Sequence, residues 1–176
     1  LWIHPGRIKQ GVNLREDEGP VLHPNHRYAL LVTQKVKDAD GQPLSRPFRK
    51  EFDVTLPDHE RPSPSKWDIN SPKAGTLEPF QIRFPEPLDH SLLQRMLTIQ
   101  DNQGTIVAGD SRVGSSETGW DFTPKEPWQA VPHALKIDPE LEDLAGNTPT
   151  RLFDVDLQAG NPANPILSLG FSPPKK

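Results

Sequence analysis

Tyr28-Ala-Leu-Leu-Val-Thr-Gln-Lys-Val-Lys-Asp38-Ala-Asp40-Gly41 returns downstream as His133-Ala-Leu-Lys-Ile-Asp-Pro-Glu-Leu-Glu-Asp143-Leu-Ala145-Gly146. The two stretches align without a gap. Each position of the second lies 105 residues after its counterpart, and the spacing continues to Phe48 and Phe153. Each copy opens with a strand pattern, with Tyr28, Leu30 and Val32 on one face of the first. An aspartate and a glycine then mark a turn, where glycine takes the left-handed backbone that other residues resist. A period near 100 residues, in a chain without long helical patterns, is the size of one β-sandwich module.

Composition points the same way. The chain has 176 residues, of which 33% are hydrophobic and 21 are proline. Proline fixes φ and removes a ladder donor, so long helices and central strands are both restricted. Short strands and Pro-rich turns over a thin core remain. No cysteine is present, which excludes disulfides, a thiolate zinc site and a cysteine nucleophile. No apolar run approaches the ~18 residues that span a bilayer, so no membrane insertion is expected. The net charge is −4 with scattered Lys and Arg; a nucleic-acid partner would call for a basic footprint, and none is expected.

Working outward from the repeat, strands are expected at 27–37 and 48–54. Leu56 to Lys66 is polar and holds three prolines, so residues 58–66 read as a linker. The second copy runs longer. Phe80, Ile82 and Phe84 alternate, and Asp89 is placed to cap a short helix through Leu92 and Leu93. Residues 97–100 and 105–108 flank Asp101-Asn-Gln-Gly104, a hairpin signal. Strands at 117–122, 133–137 and 151–157 complete about seven, and residues 166–171 offer one more near the C-terminus.

The repeat also extends backward, because Trp2-Ile-His-Pro5 can be laid on Trp120-Asp-Phe-Thr-Pro124. On that alignment the first module is only a C-terminal half. The expected organisation is a partial module at 1–57, the linker at 58–66, a complete sandwich at 67–158 and a tail at 159–176. A half sandwich leaves an apolar face and strand edges open. Cover is expected from residues 166–171 in cis, or from a second chain by strand exchange or dimerisation; the start at Leu1 rather than Met also suggests trimming.

At this point the second module resembles a bacterial Ig-like domain of the S-layer and cell-envelope type. The resemblance rests on Phe80-Gln-Ile-Arg-Phe84-Pro-Glu-Pro87-Leu-Asp89, on Trp120-Asp-Phe122-Thr-Pro124, and on Leu135-Lys-Ile137 before Asp143-Leu-Ala145-Gly146-Asn147. It covers about residues 63–158, and the last half-module again at 28–54. His133 stands where that pattern has Tyr, and Tyr28 keeps it in the first copy. The resemblance implies an all-β fold of tandem Ig-like β-sandwich modules. It implies a non-catalytic, extracytoplasmic spacer, display or protein-contact element of a secreted or cell-envelope protein, with other modules or envelope components as partners. It carries no catalytic residues, cofactor or metal to transfer.

The chain offers little chemistry of its own. His23 and His26 are separated by Pro24-Asn25 in a loop, short of the three or four converging ligands zinc needs. Calcium wants six to eight oxygens, whereas Asp38 with Asp40, or Glu142 with Asp143, supplies two carboxylates. Ser111, Ser115 and Ser116 lie outside any G-x-S-x-G elbow. The remaining candidates are tryptophans. An exposed indole stacks on sugar rings, so Trp128 after Pro127, and Trp67 at the end of the Pro-rich stretch, are the expected residues of a glycan-binding module. A third alternative is an accessory domain of a larger secreted enzyme.

Overall fold

A computed structural model describes residue 17 and residues 19–153 and 166–175. The chain divides into two compact units, Leu1–Asp58 and His59–Lys176. Nearly all regular structure is β. Among the described residues nine strands form three antiparallel sheets.

The first unit holds one hairpin, β1 (Arg27–Val32) against β2 (Phe48–Asp53). Tyr28 faces Phe52, and their rings stack at 6.1 Å. Tyr28, Leu30 and Val32 share one face as the alternation predicts, yet they are only half-buried, and no described residue of this unit is buried.

The second unit is a two-sheet sandwich. One sheet orders β3 (Asp68–Asn70), β4 (Phe80–Arg83), β7 (Gly119–Pro124) and β6 (Gly109–Val113). The other orders β5 (Leu97–Gln100), β8 (His133–Ile137) and β9 (Ser168–Phe171). Inward side chains alternate along each central strand: Phe80 and Ile82, Leu97 and Ile99, Trp120 and Phe122, His133, Leu135 and Ile137. They form one core between the sheets, as side chains of period two must when one face is dry. A four-residue helix, α1 (His90–Leu93), joins β4 to β5. Its Asp89 cap accepts from the Leu92 N–H at 2.9 Å, as the sequence predicts.

Several expectations change. The residues around Pro62 and Pro64 are no free linker: both prolines are buried, a 3-10 turn spans Pro64–Lys66, and the stretch from His59 belongs to the second unit. Rigid prolyl rings bury apolar surface at little entropic cost. The expected strand at 105–108 is a return arm on β5, with the Val107 N–H on the Ile99 carbonyl, before the chain crosses to β6. The last described strand of the sandwich is β9, inside the presumed tail, where it pairs with β8. Arg151–Phe153 are not strand; residues 154–157 and the segment 1–8, with Trp2, lie outside the described residues.

The two hairpins share a strand, a turn and an aromatic pair, but the gapless register of the sequence repeat stops after the turn. In the first unit Tyr28 pairs with Phe52; in the second His133 pairs with Phe171, with rings stacked at 5.4 Å. Phe171 lies 119 residues after Phe52, whereas His133 lies 105 after Tyr28. Phe153, the residue in register with Phe48, instead sends its N–H to Asn147 Oδ1 at 3.0 Å.

The turn is a carboxylate-centred loop, and among the described residues it occurs three times. Asp38 Oδ1 accepts the N–H groups of Asp40 and Gln42 at 3.0 and 2.8 Å. Asp143 Oδ1 accepts those of Ala145 and Asn147 at 2.7 and 2.9 Å. Asp101 Oδ1 accepts those of Gln103 and Thr105 at 2.8 and 2.9 Å. In each, the residue three positions on is a glycine with φ near +80°, a backbone open to glycine at no steric cost. The copies differ in depth: Asp38 is exposed, whereas Asp143 is buried and its Oδ2 also accepts from Asn147 Nδ2 at 3.0 Å.

This difference sets an expected outcome. Asp143→Ala strands the two buried donors of Asn147, its N–H and Nδ2, and should cost about 2–3 kcal/mol, whereas Asp38→Ala leaves its donors to water and should cost less than about 1 kcal/mol. Urea denaturation of the two variants checks the contrast.

Candidate functional site

The two tryptophans expected to meet a ligand are structural. Trp128 retains only 3% of its surface. It follows β7 in the crossing to β8, where its Nε1–H donates to the Glu78 carbonyl at 2.8 Å. Main-chain bonds tie it to Thr76 and Gly75. Its ring lies edge-on to His133 at 5.3 Å and to Phe171 at 5.7 Å. Trp67 retains 7% and meets Phe84 edge-on at 4.8 Å. Stacking on a sugar needs an open indole face, and neither ring offers one. In a chain with few large apolar residues, the indoles fill the core.

The His23 and His26 pair is engaged locally. His26 Nδ1 donates to the Pro24 carbonyl at 2.8 Å, and the His23 and His26 rings lie 5.8 Å apart. Among the described residues no histidine belongs to a group of three possible metal ligands. His133 Nδ1 donates to the Val131 carbonyl at 2.8 Å, and in the first unit the Tyr28 hydroxyl accepts from the His23 N–H at 2.9 Å. Both first-strand rings thus anchor the approach to their strand.

Acidic groups gather on the loops beside α1 and after β8. Burial raises the Glu142 carboxyl above its ordinary value; Asp89, Glu140 and Asp143 push the same way, and Arg151 opposes them. Arg151 bonds Glu140 at 3.2 Å. The calcium reading of this turn meets a carboxylate already engaged, since Asp143 accepts three hydrogen bonds from its own loop.

Two grooves remain. One, of about 730 Å³, lies in the first unit along Asn25 and residues 53–58. Its Asp53 is bonded by Arg27 at 2.8 Å, which holds the Asp53 carboxyl below its usual value. The other, of about 590 Å³, runs between α1 and β6 and is lined by His90, Gln94 and the whole of β6. There His90 Nδ1 lies 3.2 Å from Glu117 Oε1, and Gln94 Nε2 lies 3.1 Å from His90 Nε2. The β6 edge was not anticipated from sequence, although the alternation of Asp110 and Arg112 in a polar run marks an edge strand.

No family model matches the chain, and no curated protein matches it. Among the described residues no helix is long and apolar enough to cross a membrane.

Two outcomes follow from these positions. Trp128→Ala should destabilise the second unit by about 3–5 kcal/mol, the range for deleting a buried Trp, as read by chemical denaturation. Glu142→Gln should raise the melting temperature at pH 7. A carboxyl with a raised folded value binds its proton more tightly in the native state, so the wild type loses stability as pH rises through that value. Below about pH 4, near the ordinary glutamate value, the two proteins should converge in thermal melts.

Proposed function

We propose that the chain consists of bacterial Ig-like modules, one complete and one partial. They act outside the cytoplasm as a spacer, display or protein-contact element of a cell-envelope or secreted protein, without chemistry of their own. The carrying observation is the strand order of the second unit. Taken in sequence as A to G, β3 to β9 give A-B-E-D in one sheet and C-F-G in the other, the order of an immunoglobulin constant-type sandwich. Two details agree with it. The ring that opens strand F is tied to backbone just upstream in both copies, in the manner of a tyrosine corner. The first unit also repeats the F–G hairpin with the same aromatic cross-strand pair. The turn aspartates, the most conspicuous carboxylates in the repeat, are engaged by their own backbone.

A rigid sandwich with a packed interior offers its surface rather than a cavity, which suits spacing and protein contact. The glycan reading loses its residues with the burial of Trp67 and Trp128.

The reading is checked in cells. Antibodies against the full-length protein should reach it without opening the cytoplasmic membrane, and cross-linking should join it to envelope proteins through the second unit. Labelling that requires a permeabilised cytoplasm would overturn the reading.

A further inference from the structure

Strand β6 ends its sheet, and its outer edge carries no partner among the described residues. The other end strands of the second unit are shorter. β3 has three residues and runs into Pro72; the return arm at 105–107 bonds to β5; β9 has four residues and is soon followed by Pro173 and Pro174. β6 has five residues, no proline and no bulge.

The ladder to β7 fixes which main-chain groups of β6 are free. The Lys125 N–H bonds the Ala108 carbonyl at 2.9 Å and the Gly114 N–H bonds the Gly119 carbonyl at 2.8 Å. In an antiparallel register hydrogen-bonded pairs alternate, so Asp110 and Arg112 point their main chain at β7. Gly109 faces Pro124, which has no N–H to give. Gly109, Ser111 and Val113 therefore turn their N–H and C=O groups outward, to the groove beside α1.

Charge then selects the occupant. Asp110 and Arg112 are exposed and make no side-chain hydrogen bond or ion pair among the described residues. Arg112 faces Asp121 across the sheet, but Asp121 is taken by Arg83 at 2.8 Å. Edge strands are commonly blunted by charged side chains, especially Lys, by Pro or by a bulge. This edge carries one charge of each sign, two residues apart.

We propose that β6 is a self-association edge that pairs antiparallel with β6 of a second copy of this chain, centred on Ser111. In that register Ser111 pairs with the partner's Ser111, and Gly109 with the partner's Val113, through the free main-chain groups. Asp110 lies opposite the partner's Arg112, and Arg112 opposite the partner's Asp110, at the positions where side chains come closest. The arrangement is two-fold and closed, so it stops at a dimer and joins two four-stranded sheets into one. An edge of this length makes a small interface, with a dissociation constant between about 1 µM and 1 mM.

Sedimentation equilibrium of the full chain over that concentration range tests the proposal. Wild type should dimerise. Arg112→Asp should place Asp against Asp, and Asp110→Arg should place Arg against Arg; each alone should weaken dimerisation at least tenfold. Mixed in equal amounts, the two variants should restore it as a heterodimer. Amide resonances of Gly109, Ser111 and Val113 in the wild type should shift with concentration, a readout that needs no substitution. A wild type that stays monomeric, association unchanged in the single variants, a mixture that fails to associate, or concentration-dependent shifts confined to other strands would each overturn the proposal.

Discussion

The second unit depends on the ring of Phe171. It stacks on His133 across the β8–β9 pair, lies 4.3 Å from Phe80 on the opposite sheet, and receives the edge of Trp128 from the crossing between β7 and β8. One side chain thus joins both sheets and a connection. Aromatic pairs contribute about 0.5–1.5 kcal/mol each beyond the area they bury. That matters in a chain with only 33% hydrophobic residues. The core is small in count and large in ring area, and it closes only when the strand furthest along the chain returns to β8.

The two hairpins place one design in two settings. Each starts with a ring tied to upstream backbone, pairs that ring with a phenylalanine across the strand, and leaves its first strand for an Asp-x-x-Gly loop. In the second unit β8 is the middle strand of its sheet, and its inward row is buried under β4 and β7. In the first unit the same row is half-buried. The backbone pattern is local and survives in both settings; burial is tertiary and differs.

The same division decides what the sequence could tell. β5 and β8 were legible to the residue because their alternation is strict and their inward rows are dry. The Asp38 and Asp143 turns were legible because an acceptor and a glycine at fixed spacing act within five residues. Asp101 carries the same loop, and only its hairpin character was read. β6 was missed because an exposed edge strand has no dry face to impose a period. The spacing of the repeat puts the seventh strand at 151–157 and leaves 166–171 as an extra, because sequence spacing does not show which strand pairs with β8; pairing of His133 with Phe171 does. Trp128 and Trp67 failed as ligand residues for a related reason: the composition around an indole says little about what packs on it.

The unequal depth of the two hairpins has a consequence for hydrogen exchange. Amides of β8 sit in the centre of a three-stranded sheet above a closed core, so they should exchange only through opening of the whole sandwich. Amides of β1 belong to a two-stranded ribbon without a buried residue among those described, and local fraying suffices to expose them. One sequence motif, written twice in the chain, would then report two different free energies of opening.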